Sequence, residues 1–167
     1  MKVYNSIHSK ILTLPELNRK VMQWRIVNKA IVFTNGCFDI LHPGHIASLI
    51  EAANQGDYLV VGVNSDSSIK KIKGENRPVT DEASRALILA SLSMVDAVVI
   101  FSEDTPLEVI KAIKPEVLVK GGDYKIEEVV GSKEVLAAGG RVFINPIVEG
   151  FSSSSIIMKA GNSGGPA

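Results

Sequence analysis

At 167 residues, with 46% hydrophobic and 22% charged side chains, the chain has the length and balance of one folded domain. Lys plus Arg and Asp plus Glu are equal at 18 each, which excludes a global positive field of the kind that draws proteins onto nucleic acid or an anionic membrane, so any anion site must be local. The single cysteine, Cys37, excludes an intrachain disulfide and a cysteine-based zinc cluster, and no apolar run approaches the roughly 20 residues of a membrane span.

The N-terminus has no charged-then-apolar signal pattern, so a cytoplasmic protein is expected, without a nucleic-acid or membrane partner. Residues 1–29 carry Leu14, Leu17, Val21, Trp24 and Ile26 at rough helical spacing, with Pro15 near the start, and read as a helical arm packed on the domain. Residues 30–160 form the domain itself. Its strands are the Val- and Ile-rich runs Ala30 to Phe33, Tyr58 to Val63, Ala97 to Phe101, Val117 to Val119 and Val142 to Ile144, each apolar enough to be buried on both faces.

Between them, helical spacing covers His45 to Asn54, Asp81 to Ser93, Pro106 to Ile113 and Ser132 to Ala138, with Thr80-Asp81 and Thr105-Pro106 as helix starts and Gly139-Gly140 as a stop. Alternation of strand and helix predicts an α/β fold: a Rossmann-like, doubly wound parallel sheet of five strands with helices on both faces. A short helix from Ile156 to Ala160 ends the domain. The small, Gly-rich residues 161–167 read as a disordered tail.

In such a sheet the ligand crevice lies at the carboxyl ends of the strands. The first strand delivers Thr34-Asn35-Gly36-Cys37-Phe38-Asp39 to that edge, and a helix begins at Gly44-His45 after the turn Leu41-His42-Pro43. His42 and His45 therefore flank a helix start, where unpaired N–H groups and the positive dipole end accommodate phosphate. They can also cap a turn without touching a ligand. A zinc site is disfavoured, because no third ligand of suitable spacing stands nearby. Cys37 reads as a packing residue rather than a nucleophile.

The likeness to a known family extends well beyond this turn. The stretches TNGCFDILHPGH (34 to 45), VGVNSDSSIKKIKGENRPV (61 to 79), VDAVVIFSEDTP (95 to 106), VLVKGGDY (117 to 124) and GSKEV (131 to 135) resemble the adenylyltransferase domain of the bifunctional heptose kinase/adenylyltransferases of bacterial lipopolysaccharide synthesis. These enzymes belong to the cytidylyltransferase-like nucleotidyltransferases, the HxGH group. The resemblance runs from about Ser9 to Lys159 and includes no kinase half, as in a free-standing form.

What it implies is adenylyl transfer from ATP, carried with Mg²⁺, to D-glycero-β-D-manno-heptose 1-phosphate, giving ADP-heptose and pyrophosphate. His42, His45 and Lys73 would be catalytic. Nucleotide contacts would come from Thr34, Asn35, Gly36, Cys37, Phe38, Gly44, Arg85, Gly121, Asp123, Tyr124, Ser152, Ser153 and Ser154, and sugar-phosphate contacts from Asp39, Asn64, Asp66, Lys70, Arg77 and Lys120. Lys70, Lys71, Lys73 and Arg77 read as one basic loop, either a phosphate clamp or a solvated surface. Arg85 reads as a phosphate contact or as a surface ion pair with Asp81.

Two departures from the family are visible. Serines stand where it has the two threonines of a Gly-x-Ser-Thr-Thr pattern, keeping the hydroxyl donors, and Ile147 occupies a position where some cytidylyltransferases carry arginine. The second weakens the alternative of a glycerol-phosphate cytidylyltransferase. A nucleotide-binding sensor and a fragment of a class I aminoacyl-tRNA synthetase are more distant alternatives. A homodimer is expected by analogy alone.

Overall fold

The computed structural model describes residues 1–146 and 153–162. Its centre is a five-stranded parallel sheet of β1 (Ile31–Gly36), β2 (Tyr58–Asn64), β3 (Ala97–Phe101), β4 (Val117–Gly121) and β5 (Arg141–Asn145), in the order β3-β2-β1-β4-β5. The chain winds outward from β1 to β3, then returns to place β4 on the other side of β1. The reversal makes the carboxyl ends of β1 and β4 the topological switch point, where a parallel sheet opens a crevice.

Alternation along the strands builds two cores. Ile31, Phe33, Val60, Ala97, Val99 and Leu118 face one side, where α2 (Leu14–Ile26), α6 (Leu107–Ile113) and α7 (Ser132–Ala137) pack. Val32, Leu59, Val61, Val63, Val98 and Val119 face the other, beneath α3 (Pro43–Ala53) and α5 (Glu82–Ala90). Strands β1 to β4 are thus buried on both faces, which is why each carries an apolar run without polar alternation, whereas the edge strand β5, expected to be buried likewise, is exposed at Arg141 and only half-buried from Val142 to Ile144.

Residues 1–29 pack closely on the sheet. In α2, Leu17, Val21 and Trp24 are buried in the first core, and the Trp24 ring stacks on Tyr58 with centroids 4.3 Å apart. The Glu16 carboxylate accepts from both the N–H and the hydroxyl of Thr13, starting the helix. At its far end, Arg25 Nε donates to Glu116 at 2.8 Å, and the other oxygen of Glu116 accepts the N–H of Ile31. Leu12 and Lys10 exchange backbone hydrogen bonds with Val98 along the sheet edge. An additional helix, α1 (Lys2–His8), precedes this and buries none of its residues.

One expected loop is a helix. The segment carrying Lys70, Lys71 and Lys73 is α4 (Asp66–Lys73), capped by Ser65 Oγ, which accepts the N–H of Ser68, and anchored by the fully buried Ile69. Only Arg77 of the basic cluster lies in the loop that follows. The last helix, α8 (Ser153–Asn162), takes in Gly161 and Asn162 of the expected tail, and residues 163–167 lie outside the described residues. Among the described residues no helix is long and apolar enough to cross a membrane.

Candidate active site

The turn between β1 and α3 is built around two close approaches. A Cβ on Gly36 would stand 3.0 Å from the Phe38 ring, so glycine there lets Phe38 fold back on the strand end. Phe38 itself adopts φ +47°, a conformation that bulky residues occupy only where the surroundings hold them. The chain then extends into His42, the N-cap of α3, and Pro43 takes the first helical position, where its missing N–H goes unused.

His42 and His45 stack, with ring centroids 3.7 Å apart and planes inclined by 20°. Nδ1 of His42 accepts the backbone N–H of His45 at 3.3 Å, which places the proton of the neutral His42 ring on Nε2. His42 thus caps the start of α3. Burial pushes the His45 pKa down to about 4, and the neighbouring charges of His42 and Lys73 act in the same direction against the Ile40 carbonyl. Burial also lowers His42. Two neutral rings therefore wait at a helix start, and incoming negative charge favours their protonation.

The crevice at the switch point has two lobes. The smaller, about 180 Å³, is lined by Thr34, Asn35, Gly36, Cys37, Phe38, His45 and Gly121, with Ser48 one turn along α3. The larger, about 370 Å³, opens on the opposite side of β1 between Asn64, Thr105, Pro106, Leu118 and Tyr124. Asn35, Gly36, Cys37 and Lys120 line both. Gly122 has φ +134°, and any Cβ there would strike the Tyr124 ring at 2.5 Å, so the Gly121-Gly122 turn lets Tyr124 return beside Lys120. The Lys120 ammonium lies 5.5 Å from the centre of that ring, and burial lowers its pKa.

Several residues expected to touch ligand are joined in a buried polar frame. Arg85, 1% exposed, donates to the carbonyls of Thr80, Cys37 and Asn64 and, at 2.7 Å, to Asp66. Its partner is Asp66 and not Asp81, whose carboxylate caps α5 by accepting from Ser84. Asp39, 4% exposed, accepts from Arg77 Nε at 2.6 Å and from the N–H groups of Val79 and Thr80. Burial opposes ionisation of Asp39, but the Thr80 amide, Arg77 and the Val79 amide together hold its carboxyl below the usual carboxylate value. The frame joins the ends of β1 and β2 to the loop after α4.

Lys73 ends α4, exposed, yet near enough for its charge to depress His45. Lys70 and Asp123 are also exposed, and Gly44 lies in the first turn of α3. Ser153 Oγ donates to the Ile40 carbonyl at 3.2 Å, bringing the start of α8 to the histidine turn. Ile147 and Ser152 lie outside the described residues, as does the side chain of Ser154. Sequence reasoning passed over Ser48 and Asn145. The buried Asn145, at the end of β5, donates to Ser48 Oγ at 2.9 Å and steadies the floor of the smaller lobe. Its place at a strand's carboxyl end was the available signal.

Comparison with known proteins agrees with this geometry. A family model described as cytidylyltransferase-like matches residues 33–159. The bifunctional protein HldE of Koribacter versatilis is 54% identical over 151 residues, covering 90% of this chain and 31% of that protein. The bifunctional protein HldE of Bradyrhizobium diazoefficiens is 50% identical over 158 residues, covering 94% and 32%. The chain spans about a third of the length of these relatives.

Among solved structures, a lipopolysaccharide core biosynthesis protein from Thermoplasma volcanium is 32% identical with a TM-score of 0.60, covering 72% of this chain and 98% of that one. A pantoate-beta-alanine ligase from Francisella tularensis, at 17% identity and the same TM-score of 0.60, covers 90% of this chain and 76% of its own and shares the fold.

Proposed function

This chain belongs to the cytidylyltransferase-like family and is a nucleotidyltransferase; we propose that it adenylylates D-glycero-β-D-manno-heptose 1-phosphate with ATP, giving ADP-heptose and pyrophosphate. The observation that carries the reaction type is the two-lobed crevice, with His45 in one lobe and a shared boundary at Asn35, Gly36, Cys37 and Lys120. A triphosphate seated at the histidine turn and an acceptor phosphate in the other lobe would meet at that boundary. The sugar is inferred from identities of 50% to 54% with proteins named bifunctional HldE and from the likeness to a lipopolysaccharide core biosynthesis protein.

In this reaction an oxygen of the sugar phosphate attacks the α-phosphorus of ATP in line, and the bond from that phosphorus to the leaving pyrophosphate breaks. The attacking phosphate is already ionised near neutral pH, so no protein nucleophile is required, and catalysis is positioning and electrostatic stabilisation. His42, His45, Lys73 and the N–H groups of α3 receive the charge developing on pyrophosphate. Ser153, at the start of α8, lies beside this turn. Mg²⁺ bound with the triphosphate would supply neutralisation of phosphate charge. Among the described residues no three His, Cys, Asp or Glu side chains converge to cage a metal.

We place the enzyme in the cytoplasm as a homodimer. The deciding experiment measures pyrophosphate release for ATP, CTP, GTP and UTP against heptose 1-phosphates, glycerol 3-phosphate and phosphoethanolamine. ATP with the β-heptose 1-phosphate should give the highest kcat/KM. Preference for CTP with glycerol 3-phosphate would replace this reading with the cytidylyltransferase one. Tight ATP binding without turnover of any acceptor would indicate a sensor.

A further inference from the structure

We propose that Lys120 is a catalytic residue whose ammonium holds the two phosphate groups between which the new bond forms. This rests on the phosphate-to-phosphate transfer proposed above and assigns the contact at its centre. Lys120 stands next to last in β4, the strand that flanks β1 at the switch point. Among the described residues it is the one lysine or arginine lining either lobe, and it lines both.

Among the described residues its charge has no counter-ion. Among the described residues, Lys71 pairs with Asp104, Arg77 with Asp39 and Arg85 with Asp66, but Lys120 forms no ion pair. Two carboxylates line the larger lobe. Asp104 faces Lys71, and Glu128 accepts the N–H of Lys125. Tyr124 offers the ammonium only a ring face. A partly desolvated cation without a compensating anion is unfavourable unless a ligand supplies one, and phosphate is the anion both lobes would share.

The step balances without a proton from Lys120. A bond forms between the acceptor phosphate oxygen and the α-phosphorus, and the bond from that phosphorus to the β,γ-pyrophosphate oxygen breaks. The electron pair leaves with pyrophosphate, while Lys120 stays charged and spans the diphosphate of the product. Its role differs from that of His42 and His45, which face the leaving group.

The test uses the full chain and the variants Lys120→Gln and Lys120→Arg. Calorimetric titration with AMP and with adenosine isolates the α-phosphate. Lys120→Gln should weaken AMP by at least about tenfold and leave adenosine unchanged, and Lys120→Arg should bind AMP within about threefold of the wild type. With an acceptor that turns over, Lys120→Gln should lose about 10²- to 10³-fold in kcat and Lys120→Arg should recover most of it. Equal AMP affinity in Lys120→Gln, or equal weakening of AMP and adenosine, overturns the proposal and leaves Lys120 as a strut under Tyr124. If no acceptor turns over, the proposed reaction fails, while the AMP comparison still decides Lys120.

Discussion

Asp39 and Arg77, 38 positions apart in the chain, meet at 2.6 Å with the Asp39 side chain only 1% exposed. This contact pins the loop after α4 against the turn that carries both histidines. Asp39→Asn keeps the shape of the side chain but removes the charge that Arg77 and two amides face. Breaking a buried pair of this kind costs about 3–5 kcal/mol, to be read from urea denaturation.

The pH dependence follows from the lowered Asp39 pKa. The contribution is present above the ordinary carboxylate value of about 3.9 and is lost as pH falls through the lower folded value. The wild type should therefore shed stability on acidification through that window. Asp39→Asn should lack this part of the acid limb.

Arg85 holds three carbonyls and one carboxylate. An ammonium lacks the planar fork that reaches all of them, so Arg85→Lys should destabilise by about 2–4 kcal/mol despite retaining the charge. Because Cys37 and Asn64 line the crevice, turnover should fall as well. A variant with wild-type stability would contradict the buried network.

The two strands most central to the sheet were legible because burial on both faces leaves an unbroken apolar run, as in Ile31 to Phe33 and Leu59 to Val61. The histidine turn was legible because Gly, Pro and His have narrow backbone or chemical roles at a strand-to-helix junction. Helix α4 was not, since its eight residues hold only two apolar side chains and its lysines resemble a solvated loop. The burial of Arg85 and its pairing with Asp66 rather than Asp81 were hidden for a related reason: local sequence gives no sign that the distant carbonyls of Cys37 and Asn64 converge on this guanidinium. Asp39 and Arg77 were singled out, but their pairing depends on a fold-level contact that spacing does not encode.

His45→Ala should lower kcat by about 10²- to 10³-fold, the usual effect of losing one donor to developing charge, with cooperative unfolding preserved. Activity near that of the wild type would remove the role assigned to this ring. A second readout is stability against pH. The His45 pKa falls to about 4 in the folded protein from an ordinary 6.5, so the unfolded chain binds the proton more readily. Stability is retained above the ordinary value and declines as pH drops through the interval toward about 4, and His45→Asn should flatten that decline.

The N-terminal residues divide into a dispensable part and a part the core requires. No residue of α1 is buried, so a chain beginning at Lys10, which keeps the backbone pairing of Lys10 and Leu12 with Val98, should melt within a few degrees of the full chain. Helix α2 differs because Leu17, Val21 and Trp24 close one face of the sheet. Trp24→Ala removes a buried indole stacked on Tyr58 and should cost about 3–5 kcal/mol. Removing everything before Ile31 would expose that core face and strip Glu116 of Arg25, so the shortened chain should be insoluble or unfolded by circular dichroism. A folded, active product of that deletion would contradict the requirement for α2.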